Sequence, residues 1–204
     1  MKKVLLVFVP VFLVVFASGC NYDPSPVGCR FQLESLSPFR VAGVRLSDYG
    51  IDSLWAEDRD TISAAIESGN CPVQLVVNTA VQNMESQGTV LIEQYDCLVR
   101  ISAGGKQYLV DSGGIGLRIG VEASQTGIAC VLLSFNAAEV WGDDLTNAEI
   151  FDLCMELGFN SNGSIRDSQH LGRVQVEADI QEDTPHGSIS DKSVLIGLDW
   201  VTPE

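Results

Sequence analysis

The feature that most constrains this chain is a two-residue alternation that recurs along most of its length. In Val174-Gln175-Val176-Glu177-Ala178-Asp179-Ile180 every second side chain is apolar and the others are polar. A β-strand sends successive side chains to opposite faces, so such a segment has one buried and one wet face. The same phase runs through Val73, Leu75, Val77 and Val81, and through Leu91, Tyr95, Cys97, Val99 and Ile101. It returns in Ile115, Leu117, Ile119 and Val121, and in Val194, Ile196, Leu198 and Trp200. Phe39 to Leu46 is a shorter strand-like stretch, and Gly104-Gly105 reads as a turn from which Lys106 to Val110 run back. Ile128 to Phe135 is almost continuously apolar, which predicts a strand buried on both faces or covered by a helix.

Helical signals are few. Ile62, Ala65 and Ile66 have helical spacing within Asp58–Glu67, with Asp58 or Asp60 as a candidate cap. Thr146-Asn147-Ala148-Glu149 is a capping box, in which Thr and Glu each satisfy an orphan backbone N–H. Ile150, Phe151, Leu153, Cys154 and Leu157 follow as an apolar stripe, with Gly158 as the expected stop. Closely spaced strands with glycine turns and no βαβ rhythm predict a mainly β protein. The expected architecture is an antiparallel β-sandwich, immunoglobulin-like in kind, with one or two short helices.

The first residues do not fit that pattern. Lys2 and Lys3 precede an apolar run from Val4 to Phe16, and Ala17-Ser18-Gly19-Cys20 closes it. A short apolar run with a basic start and small residues before a cysteine reads as a lipoprotein signal peptide. The run is shorter than the roughly 20 residues of a spanning helix. On this reading residues 1–19 are the leader, Gly19–Cys20 is the cleaved bond, and Cys20 carries the lipid. Residues 20–28 form a tether with Pro24 and Pro26, and residues 29–204 form a single sandwich domain. Asn21 follows the cysteine where an aspartate would favour inner-membrane retention, which points to the bacterial cell envelope and its outer membrane.

The full chain has a formal charge of −15. The leader removes two of its 12 basic residues and no acid, leaving 10 basic against 27 acidic, or −17. Such a surface repels phosphates, so nucleic acid is excluded as a partner. The densest acid, Asp143-Asp144 and Glu182-Asp183, reads as solvated surface. Besides Cys20 there are Cys29, Cys71, Cys97, Cys130 and Cys154, widely spaced and without a C-x-x-C. That spacing gives no support to zinc, and the default is buried small hydrophobes, as in Gly127-Ile128-Ala129-Cys130-Val131-Leu132. One or two disulfides fit an exported chain, but their pairing is not fixed by the sequence, and an odd count leaves a free thiol.

Catalytic signals are sparse. His170 and His186 lie in loop-like stretches, and no G-x-S-x-G elbow, phosphate loop or metal-spaced histidine pair is present. Tyr108-Leu109-Val110-Asp111-Ser112-Gly113 resembles the catalytic turn of retropepsin-type aspartic proteases, with Val194-Leu195-Ile196-Gly197 similar to the element that packs near it. That resemblance implies a homodimer in which two Asp111 carboxyls share a proton. The competing reading of Asp111-Ser112-Gly113 is an ordinary β-turn. A carbohydrate-binding role would need exposed aromatics, for which Trp55 and Trp141 are the candidates.

A broader likeness spans residues 29–200. Val41-Ala42-Gly43-Val44-Arg45-Leu46, the helical insert Asp58–Glu67, the strand Val73 to Asn83 with its corner Gln82-Asn83-Met84, and Thr184-Pro185-His186-Gly187 occur in order. This order resembles the late-embryogenesis-abundant type-2 (WHy) β-sandwich, in particular lipid-anchored members from Bacteroidota. The family's Asn-Pro-Asn-type corner lacks its proline here. The resemblance implies a non-enzymatic, envelope-anchored sandwich without cofactor, joined to the membrane through Cys20 and to an unidentified envelope protein.

Overall fold

The computed structural model describes residues 26–46, 54–111, 118–159 and 173–203. Cys20, Gly19, His170 and the Ser112-Gly113 part of the Asp-Ser-Gly turn lie outside these residues. The protein is a mainly antiparallel β structure of two five-stranded sheets. In chain order the elements are β1 (Cys29–Ser35), β2 (Phe39–Val41), β3 (Val44–Arg45), α1 (Ala56–Glu67), β4 (Pro72–Asn83), β5 (Thr89–Ala103), β6 (Lys106–Asp111), β7 (Ile119–Glu122), β8 (Thr126–Asn136), α2 (Ala137–Trp141), α3 (Asn147–Phe159), β9 (Val174–Thr184) and β10 (Gly187–Ile196).

The two sheets share one plan. In each, a long central strand has a long partner on one edge and two short strands end to end on the other. In the first sheet β4 pairs with β8 from Pro72 to Gln82, and with β1 and β2 on its other side. In the second β5 pairs with β9, and with β6 and β7 opposite. Asn78 holds the break between β1 and β2, its side-chain amide donating to Ser35 Oγ and Ser37 O, both at 2.9 Å. The segment after β10 crosses the outer edge of β1, where Phe31 and Val201 exchange two backbone hydrogen bonds of 2.8 and 2.9 Å.

The alternation places most of the core as expected, except at the start of β5, where a bulge between Ile92 and Gln94 shifts the phase so that Val90 and Ile92 are buried and Leu91 is not. Val73, Leu75, Val77 and Val81 of β4 and Val99, Ile101, Val174 and Val176 of the other sheet are all buried and belong to one hydrophobic core. Phe31 stacks on Tyr95 with ring centroids 6.4 Å apart, and the buried Tyr95 hydroxyl bonds Thr79 Oγ1 at 3.0 Å. β1 shows the same pattern, since Cys29, Phe31 and Leu33 are buried while Arg30, Gln32 and Glu34 are not.

Several sequence expectations change. β8 is not covered on both faces: Ala129, Val131 and Leu133 are buried, but Ile128 is 42% and Leu132 54% exposed, and Cys130 is exposed between them. A continuous apolar run therefore has one core face and one apolar outer face. The capping box is present, with Thr146 N donating to Glu149 Oε2 at 2.8 Å and Glu149 N to Thr146 Oγ1 at 3.3 Å. Gly158 does not stop α3, which continues to Phe159. Its missing side chain instead admits Leu46, since a Cβ there would lie 2.6 Å from Leu46. The N-cap of α1 falls on Trp55, and Asp58 and Asp60 lie inside the helix. α2, a helix of five residues, carries no signal in the reading above; Asn136 caps it by accepting from Ala138 N at 3.1 Å.

Candidate functional site

The densest group of buried polar side chains lies at the end of the sandwich where the chain enters β1. β9 continues its alternation past Ile180, so Glu182 and Thr184 point inward, and Glu182 is only 2% exposed. After β4 the chain turns a corner built on Asn83, also buried. Asn83 donates to Val121 O at 2.8 Å and Gly88 O at 3.2 Å and accepts from Glu85 N at 2.7 Å. The corner thus forms without proline, and it delivers Glu85, 4% exposed, to the same place.

The two glutamates bind three consecutive backbone amides. Glu85 Oε1 accepts from Val27 N at 2.8 Å and from Gly28 N at 3.4 Å, and Glu182 Oε2 accepts from Cys29 N at 2.9 Å. Gly28 has φ of +71°, and a Cβ on it would stand 2.3 Å from Glu182 Oε2, so no side chain fits between the carboxyl and the chain. His186 sits in the β9–β10 turn with Nε2 3.9 Å from Glu85 Oε2. Thr184 closes that turn, accepting from His186 N at 3.1 Å and donating to Gly187 O at 2.7 Å.

Burial disfavours the charged form of Glu182 and raises its pKa to about 7; the Cys29 amide opposes this and the Glu85 carboxyl adds to it. The Cys29 thiol is pushed up by burial and then by Glu182 and Glu85, which leaves it inert as a nucleophile. Chemically the arrangement is a carboxyl clamp on the first residues of the domain. Sequence reading missed it because Glu182-Asp183 looks like surface acid; the available signal was the phase of β9, which places residue 182 with Ile180 and Asp183 outside.

Asn83→Ala is expected to lower stability by about 2 kcal/mol, because two carbonyls lose their donor in a buried corner. Urea unfolding monitored by circular dichroism measures it, and a loss below about 0.5 kcal/mol would show that the corner does not depend on the amide.

The other proposed site residues are dispersed. Asp111 ends β6 and is exposed, on an open depression shared with Asp96, Glu177 and Asp179. The register runs Leu195–Glu177–Leu98–Asp111 across four strands, so β9 and β5 separate Val194–Gly197 from Asp111 by roughly 14 Å. Trp141 is fully buried and cannot stack on a sugar, which corrects its candidacy; Trp55 is 69% exposed. Among the described residues no group of three His, Cys, Asp or Glu could hold a metal ion, and no helix is long and apolar enough to cross a membrane.

No family model matches the chain, and no curated protein matches it. Among solved structures it is similar to a protein from Archaeoglobus fulgidus, at 12% identity over 65% of this chain and 86% of that one, with a TM-score of 0.35. A likeness at that level carries no argument about fold or activity.

Proposed function

We propose that this is a lipid-anchored protein of the bacterial cell envelope, too acidic for a nucleic-acid role, whose sandwich domain serves a structural or binding purpose and not a catalytic one. The observation that carries this reading is the clamp on Val27, Gly28 and Cys29. Buried carboxyls are costly, and here their oxygens are given to the amides of the residues that lead in from Cys20. A domain attached through its N-terminus needs that first segment held against the fold. Six residues separate Cys20 from Val27, a reach of at most about 25 Å from one to the other, which keeps the domain close to the membrane surface. The outer apolar row of β8, with Ile128 and Leu132, suits contact with an envelope protein.

The test is Cys20→Ala in a bacterial host. Incorporation of labelled palmitate is expected to disappear, and the protein to leave the membrane fraction. An unchanged membrane fraction would overturn the anchored reading.

A further inference from the structure

Of the five cysteines besides Cys20, two are brought together. Cys71 lies just before β4, and its backbone is fixed on both sides: its N–H donates to Asn136 Oδ1 at 3.0 Å and its carbonyl accepts from Ala137 N at 2.8 Å. Cys154 lies on the inner face of α3 with Ile150, Leu153 and Leu157, all buried. Both thiols are fully buried; Cys71 is bonded to the first residue of α2, its neighbour Pro72 to the residue after β2, and both α2 and β2 pack on α3, which brings the two thiols within reach of one another. Cys130 faces outward on β8, away from the core.

We propose that Cys71 and Cys154 form the structural disulfide of this protein, tying α3 to the start of β4. Its formation in the cell rests on the export reading above; the pairing itself does not. The oxidant is a disulfide of the thiol–disulfide exchange class, such as glutathione disulfide or an oxidised dithiol protein. One cysteine thiolate attacks the oxidant's S–S bond, giving a mixed disulfide and releasing one thiol. The second attacks the mixed disulfide, closing the Cys71–Cys154 bond and releasing the other thiol. Two cysteine thiols are oxidised, one oxidant disulfide is reduced to two thiols, and the two protons end on those thiols. Because both sulfurs are buried in the fold, exchange takes place as the chain folds, before α3 is docked. The ring so closed spans about 80 residues, long enough for a large restriction of the unfolded chain.

The full-length chain is unfolded in reduced form, refolded in detergent with a glutathione and glutathione disulfide buffer, and separately recovered from the membranes of an exporting host. Both samples are alkylated without reduction, digested and mapped by mass spectrometry. The expected result is one linked peptide pair, Cys71 with Cys154, and a fall in Tm on the order of 10 °C when dithiothreitol is added. The double variant C71A/C154A is expected to show no such fall. Separate alkylation of Cys71 and Cys154 in the refolded chain, or a link from either to Cys29, Cys97 or Cys130, overturns the proposal. A link in the refolded chain that is missing from the cellular sample upholds the pair and counts against export.

Discussion

Trp141→Ala is expected to lower the stability of the domain by about 3–5 kcal/mol, a large part of the margin of an ordinary fold. Trp141 is the largest fully buried side chain. It stands edge-on to Phe135 with centroids 5.4 Å apart, and edge-on to Tyr108 at 6.5 Å. Phe135 belongs to β8 in one sheet and Tyr108 to β6 in the other, so the indole closes the sandwich where these edges approach. Its loss leaves a cavity bounded by strands that cannot collapse inward without breaking their ladders. The indole N–H finds no hydrogen-bond partner among the described residues. Trp141→Phe removes that group and keeps a ring against both neighbours, so its cost is smaller, about 1–2 kcal/mol. Urea unfolding followed by far-ultraviolet circular dichroism measures both variants. Equal losses, or a loss under 1 kcal/mol for alanine, would mean that packing at this position does not hold the sheets together.

What the sequence made legible follows from what alternation encodes. It states which residues share a face, and so it located the buried positions named in β4, β9 and β10, and those of β5 from Tyr95 onward; a bulge is invisible to it, so Leu91 was placed on the wrong face. It does not state which strand lies beside which, so the division into two sheets was not legible, nor the end-to-end pairing of β1 and β2 along β4. β8 was misread for a related reason: Ile128, Cys130 and Leu132 are as apolar as the residues between them, and composition cannot tell a core face from an apolar outer face. The capping box at Thr146 is local chemistry and was legible in full. α2 is too short to show helical periodicity. The clamp was hidden because its glutamates come from different strands, and only the fold brings Glu85 and Glu182 to the same three amides. The Cys71–Cys154 contact was hidden likewise, since wide spacing alone left every pairing open.

Glu182→Gln is expected to make the protein more stable at pH 8, by about 1–3 kcal/mol, although it removes a native carboxyl. The folded-state pKa of Glu182 is raised from 4.5 to about 7. The folded protein therefore holds a proton that the unfolded chain has released between these values. The stability linked to that proton is fully present below about pH 4.5, declines as pH rises, and is lost above about pH 7. A difference of this size corresponds to roughly 3 kcal/mol at the alkaline end. Glutamine keeps an oxygen for the Cys29 amide and carries no charge, so the folded state is spared the ionised group. The groups that face Glu182 are Glu85, whose charge raises its pKa further, and the Cys29 amide and thiol; His186 stands behind Glu85 at 3.9 Å. His186→Gln serves as a control that removes the imidazole beside Glu85. Urea midpoints measured from pH 4.5 to 8.5 are expected to fall with pH in the wild type and in His186→Gln, and to be flatter in Glu182→Gln. A Glu182→Gln profile parallel to the wild type would mean that the carboxyl is not the group that loosens the clamp. Ionised Glu182 accepts more strongly from the Cys29 amide, but burial of the charge costs more than that bond returns, so an opening that hydrates the carboxylate and frees the segment leading in from Cys20 becomes easier as pH rises. Hydrogen exchange at Cys29 N–H is expected to quicken between pH 6 and 8 beyond its ordinary base catalysis, and to lose that excess in Glu182→Gln.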